Sequence, residues 1–200
     1  MKIMKFRVRI DSERPIIIQS DRLVDPLDPM SIEKRRLAKH KDKASEAFQA
    51  DIGRIEWFGA LYLDDDCKPR LAIPCDNILR AMRDAAAREK LGETVKREVT
   101  IDPPLIDFLD HGGPKDLEAM YADPRFVLRK SVAQQKARVM RVRPRLPVWA
   151  LEFTMTVGGA QTLTADDVKR ILTNAGMVGI GTWRPRYGHF KVTKFEKAKD

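Results

Sequence analysis

The sequence predicts an α+β fold: an antiparallel sheet with its helices on one face, interrupted by a loop-rich insertion. Three observations carry that expectation. Strand periodicity opens and closes the chain. Two segments of helical periodicity, one from residue 78 and one from residue 164, each lie between strand-like segments. Two hundred residues, 43% of them hydrophobic, fill one core and leave chain over for an insertion.

Along the first half, Phe6, Val8 and Ile10 alternate with Lys5, Arg7 and Arg9, which is a strand with one basic face. Pro15–Gln19 is a second short strand, and Asp25–Pro29 is a loop because two prolines break it. Ser31 reads as the cap of a weakly amphipathic helix to Ala50, whose Lys34–Lys43 run is an exposed helix or a mobile arm. Ile55–Leu63 reads as a buried strand that turns through Asp64–Pro69 into a short strand at Arg70–Ile73. A helix follows, capped by Asp76 or Asn77, with Ile78, Leu79, Met82, Ala85 and Ala86 at helical spacing and Gly92 as its end.

In the second half, Ile101–Asp123 is irregular, with Asp102-Pro-Pro104 and His111-Gly-Gly-Pro114. Phe126–Met140 is extended or a hairpin, and Arg141–Arg145 leads into a strand at Trp149–Val157. Thr164 with Asp167 makes an acidic capping box; Val168, Ile171, Leu172 and Ala175 face the core, and Gly176 stops that helix. His189–Phe195 is the closing strand. Strand–helix–strand around both helices is the ferredoxin- or RRM-like order. The expected organisation is one domain over 1–200, with a helical or mobile insertion near 26–54 and a loop-rich one near 101–125. The sheet face away from the helices is then open to a ligand.

The net charge of +9 is unevenly spread. Between Pro124 and Leu151 lie Arg125, Arg129, Lys130, Lys136, Arg138, Arg141, Arg143 and Arg145, with no acid. A stripe of this kind favours a polyanion. Arg141, Arg143 and Arg145 are two apart, so in a strand they share a face and match a phosphate backbone, which is the favoured reading; the alternative is a solvent-exposed edge strand guarded by its charge. In the tail, Arg184, Arg186 and Tyr187 sit between Gly179, Gly181 and Gly188, beside Trp183. Glycines let backbone approach phosphates, arginines pair with them, and the two aromatics can stack on bases. No GxxxxGK[ST] pattern is present, so this is no nucleotide P-loop.

Cys67 and Cys75 are too few for a disulfide framework and are expected as free thiols. Asp64, Asp65 and Asp66 read as a turn, and Asp21, Asp25 and Asp28 as caps and turns. None of His40, His111 and His189 has a metal-ligand spacing, so neither metal nor cofactor is expected. No apolar run approaches bilayer length, and the expected setting is the bacterial cytoplasm.

Two segments resemble the RAMP superfamily, the RRM-like backbone subunits of CRISPR effector complexes and their relatives. Leu71-Ala-Ile-Pro-Cys-Asp-Asn-Ile-Leu-Arg-Ala-Met-Arg83 resembles its strand, Ile-Pro and arginine-bearing helix. Ile171–Phe190 is similar to its glycine-rich loop between a helix and a strand. The chain is also similar to small proteins encoded by bacteriophages and prophages. The resemblance implies a modified RRM core with a projecting thumb-like insertion, and copies assembled side by side along single-stranded RNA. It also implies a grip on the RNA backbone without sequence reading, or, for a phage protein, docking on a host defence nucleoprotein complex.

The sequence reading is therefore a non-enzymatic binder of single-stranded RNA or DNA, expected to form homo-oligomers and not to bind membranes. Its expected contacts are Lys136, Arg138, Arg141, Arg143, Arg145, Trp183, Arg184, Arg186 and Tyr187, with Arg80 and Arg83 extending the track. The alternatives are a phage inhibitor docking a host complex and a metal-independent endoribonuclease using His111 or His189 as base.

Overall fold

A computed structural model of the chain describes residues 3–39, 45–134, 137–159 and 162–198. The chain forms two compact units. Met1–Ile16, Ala72–Gly112 and Pro147–Asp200 make the first, and Ile17–Leu71 with Gly113–Leu146 the second. The insertion expected near 26–54 lies in the second unit, and the one expected near 101–125 is divided between the units after Gly112.

In chain order, β1 (Met4–Ser12) and β2 (Ile16–Ile17) precede α1 (Pro29–Leu37) and α2 (Glu46–Phe58). Next come β3 (Tyr62–Leu63), β4 (Pro69–Arg70), β5 (Ala72–Pro74), α3 (Asp76–Ala86) and α4 (Gly92–Glu98). The middle continues with β6 (Val99–Asp102), β7 (Leu105–Asp107) and α5 (Leu117–Ala122). The chain then runs through β8 (Val127–Gln134), β9 (Ala137–Leu146), β10 (Ala150–Val157), α6 (Ala165–Val178) and β11 (Phe190–Lys197).

The first unit is built on a four-stranded sheet in the order β11-β1-β10-β6, every neighbouring pair antiparallel. It follows that β1 and β6 run parallel with β10 between them, and that β10 and β11 run parallel with β1 between them. The paths through α3 and through α6 thus each step over one strand. Two interleaved split β-α-β crossovers make the α+β ferredoxin-like arrangement. Phe6, Val8 and Ile10 are buried opposite Met155, Phe153 and Leu151, and the Phe6 ring stacks on Phe195 with centroids 4.5 Å apart. Trp149 is buried too, its indole N–H donating to the Arg14 carbonyl at 3.0 Å. The alternation that marks β1 as a strand is the alternation that puts its apolar side on this core.

Both helices differ from expectation at their ends. Asp76 and Asn77 do not cap α3: Cys75 stands at the cap without a side-chain bond, Asp76 lies in the first turn, and the Asn77 amide donates back to the Pro74 carbonyl at 3.3 Å. Gly92 opens α4 instead of ending α3, which closes through a 3-10 turn with Lys90 left-handed. In α6 the capping box is present, with Thr164 Oγ1 accepting from the Asp167 N–H and the Asp167 carboxylate accepting from the Thr164 N–H. Those bonds from Thr164, with help from Arg170, hold the Asp167 carboxyl down to about 2. Gly176 does not stop α6, which runs two residues further. It is buried where the helix crosses the start of β11, and a Cβ there would lie 2.1 Å from the Phe190 carbonyl oxygen. Ile101–Asp123 is also more ordered than expected, holding the second half of β6 together with β7 and α5.

The second unit contains a three-stranded sheet in the order β2-β9-β8. Its long hairpin pairs Lys130 with Arg141 and Leu128 with Arg143. Asp28, not Ser31, caps α1, accepting from the Met30 N–H at 2.7 Å and also binding Arg22; Ser31 is buried inside the helix. The buried strand expected at Ile55–Leu63 is a helix end. Ser45 caps α2, whose last four residues, Ile55, Glu56, Trp57 and Phe58, are all buried, and only Tyr62 and Leu63 are strand. A short apolar run does not distinguish a buried strand from a buried helical turn. Asp64 makes the expected turn between β3 and β4, accepting from the N–H groups of Asp66 and Lys68.

Candidate nucleic-acid interface

The glycine-rich loop follows α6 in the first unit. Gly179 ends the helix at φ 78°, and the Ile180 N–H to Gly188 carbonyl bond of 3.0 Å closes the loop at its neck. Gly188 is required there: its φ is 76°, and a Cβ would stand 1.9 Å from the Ile180 carbonyl oxygen. The closed neck displays Trp183, Arg184, Arg186 and Tyr187 on one short turn. The Trp183 and Tyr187 rings lie 6.4 Å apart at 51°, both half-buried, and Arg186 is exposed.

Arg184 connects the loop to α3. Its Nη1 lies 3.4 Å from Asp84 Oδ2 and 3.4 Å from the Gly179 carbonyl oxygen. The inner side of α3 is apolar, with Ile78, Ala81, Met82 and Ala86 buried. Its outer side, with α4, borders a cleft of about 670 Å³ lined by Arg80, Arg83, Asp84 and Lys96. Arg83 donates to Glu93 at 3.3 Å, while its buried Nε makes no hydrogen bond. Trp183, Arg184, Arg186 and Tyr187, expected from the sequence as contacts, lie together on this one loop. The sequence reading did not find Lys96, whose helix α4 had no signal beyond a seven-residue run of mixed polarity.

The open face of the sheet is of mixed charge. The Arg9 guanidinium meets three carboxylates, those of Asp11, Asp110 and Glu152, at 3.0, 2.5 and 2.9 Å. The hydrogen bonds that it donates to these carboxylates hold it firmly charged, and their negative charges cancel its field. Phe6 and Phe153 are buried on the core side, so the stacking groups of this unit lie on the loop and not on the strands.

The remaining expected contacts belong to the second unit. Arg141, Arg143 and Arg145 share one face of β9, as their spacing requires, but that face does not form an open phosphate ladder. Arg141 lies 2.8 Å and Arg143 3.5 Å from the carboxylate of Glu56, which is 1% exposed. Arg143 is itself buried and Arg145 half-buried. Arg138 is exposed, its Nε donating to Ser131 Oγ at 2.9 Å. Lys136 lies outside the described residues, as does His40. The missed partner is Glu56, an acid inside an apolar run and 85 residues from Arg141.

Other sequence candidates fall elsewhere. His189 is 6% exposed and its Nε2 makes no hydrogen bond. His111 is half-buried, and burial pulls its pKa down against the opposing pull of Asp110. Both cysteines are free thiols, and burial with the nearby Asp76 and Asp102 pushes Cys75 up. Among the described residues no group of His, Cys, Asp and Glu could hold a metal ion, and no helix is long and apolar enough to cross a membrane.

Fold and site together define an α+β ferredoxin-like protein with a cationic, aromatic-bearing loop. No protein-family model matches the chain, and no curated protein sequence matches it. The chain is similar in structure to one in a cryo-EM structure of the type III-B Cmr-beta complex bound to cognate target RNA. The TM-score is 0.52 and the identity 13%, with 99% of this chain covered. This chain spans 61% of the length of that one. At such identity the likeness concerns the fold.

Proposed function

We propose that the protein binds single-stranded RNA by its phosphates and performs no chemistry on it. The observation that supports this reading is the meeting of Arg184 with Asp84, which joins the glycine-rich loop to the Arg80, Arg83 and Lys96 cleft on α3 and α4. Phosphates spaced along a strand can then take charge-assisted bonds from loop and helix together. Trp183 and Tyr187 offer ring faces to bases without selecting among them. The buried Arg83 Nε is a donor that costs free energy while it lacks an acceptor, and a phosphate oxygen in the cleft would supply one. The structural likeness to a chain from an RNA-bound complex points to the same class of ligand. Several copies sharing one strand is the assembly that the RAMP resemblance implies, and it belongs to the same proposal.

Size-exclusion chromatography with light scattering, read at 260 and 280 nm before and after RNase, tests this. The expected result is excess 260 nm absorbance in a large particle that RNase breaks down. Protein that purifies free of nucleic acid, and binds no oligouridylate at low salt, would overturn it.

A further inference from the structure

The second unit holds an unusual charge arrangement around Glu56. Oε1 of this buried carboxylate accepts from Lys34 Nζ at 2.6 Å and from Arg141 Nη1 at 2.8 Å. Oε2 accepts from the Val142 N–H at 2.8 Å and has Arg143 Nη1 at 3.5 Å. One carboxylate therefore serves three cations drawn from α1 and β9. Lys130 lies directly across the ladder from Arg141 and adds a fourth positive group to the same face. Burying like charges together is costly unless opposite charge answers them. Burial presses the Arg143 pKa down against the opposing pull of Glu56, and the neighbouring Arg141 adds a smaller push downward.

Two geometric facts say where the answering charge goes. Lys34 and Arg141 converge on a single oxygen, so their nitrogens stand only a few ångströms apart, within the span of one phosphate group. Both also reach the surface, at 26% and 23% side-chain exposure, whereas Arg143 and Glu56 do not. We propose that Lys34 and Arg141, held by Glu56, form an anion site for one phosphate group, separate from the loop of the first unit. Glu56 is then a positioning residue: it aligns the two cations and does not touch the ligand. A phosphodiester of a polynucleotide and free phosphate share this chemistry. The site does not depend on the reading of the glycine-rich loop.

The test uses the full chain carrying Arg184→Ala and Arg186→Ala, so that the loop is disabled. Thermal unfolding is followed as inorganic phosphate replaces chloride at constant ionic strength, and the midpoint shift gives the affinity. The expected result is a saturable phosphate-specific stabilisation that Lys34→Gln with Arg141→Gln weakens about tenfold or more. If the double variant does not fold, Lys34→Gln alone carries the test, since that side chain is more exposed than Arg141 or Arg143. Absence of a phosphate-specific shift, or an unchanged shift in the variants, overturns the site. In a second arm a short oligouridylate replaces phosphate. A Lys34-dependent shift there identifies backbone phosphodiesters as a ligand; a shift with inorganic phosphate alone identifies free phosphate. Loss of oligouridylate binding in the loop variant with retention of the phosphate shift keeps the two proposals apart.

Discussion

Arg184 and Asp84 stand 3.4 Å apart, Nη1 to Oδ2, and the pair ties the glycine-rich loop to the outer side of α3. The carboxylate is 51% exposed and the guanidinium 21%. An ion pair this open to water contributes about 1 kcal/mol or less. Asp84 is therefore a weak clasp on the loop and a competitor for the cation that a phosphate would use.

Replacing Asp84 with Asn removes the competitor and keeps the shape. The expected outcome is RNA binding tightened by about two- to fivefold at low salt, the range that an exposed pair supports. The gain should shrink as salt rises, because exposed charges are screened. Fluorescence anisotropy of labelled oligouridylate at two salt concentrations checks both points.

Gly188 has no room for a methyl group, since the Ile180 carbonyl oxygen lies where its Cβ would be. Gly188→Ala must open the neck of the loop and place alanine at positive φ. A stability loss of about 1–3 kcal/mol is expected from the strain, together with weaker RNA binding. Urea unfolding and anisotropy on the same preparation measure the two effects.

Removing the Glu56 carboxylate leaves Lys34, Arg141 and Arg143 facing one another. Glu56→Ala should destabilise the protein by about 3–5 kcal/mol, as breaking a buried ion cluster does; urea unfolding reads it.

The same cluster sets an acid dependence. Burial alone would push the Glu56 pKa up, but the Lys34 ammonium, the Val142 N–H and Arg141 outweigh it and leave it below the usual carboxylate value. A folded pKa below the unfolded one means that Glu56 contributes its full stability above the unfolded value of about 4.3. That contribution is lost as pH falls through the folded pKa. Wild-type urea midpoints should fall on acidification through this window, and Glu56→Gln should lose less over the same interval.

Much of the first unit was legible because its elements are local and periodic. β1 alternates, α3 and α6 carry apolar residues at helical spacing, and the Thr164–Asp167 box marks a helix start. The ferredoxin-like order follows once those elements are in place. Non-local facts were not legible. Ile55–Phe58 is buried on every side because a helix end is packed there, and a run of four cannot reveal its period. The Arg141–Arg143–Arg145 ladder has the spacing of a phosphate track, yet what it faces is decided by Glu56 on another element. The loop residues 183–187 were legible as a group since glycines bracket them in sequence; their link to Asp84 spans 100 residues and was not.

The most direct test of the central claim is the salt dependence of RNA binding by wild type and by the Arg184→Ala, Arg186→Ala variant. If both arginines bind phosphates, the variant should bind at least about tenfold more weakly at low salt. The slope of log affinity against log salt should also flatten by about 1.4, two single-strand phosphates' worth of released counterions, with the thermal midpoint little changed. Equal affinities and equal slopes in wild type and variant would contradict the account and take the glycine-rich loop out of the interface.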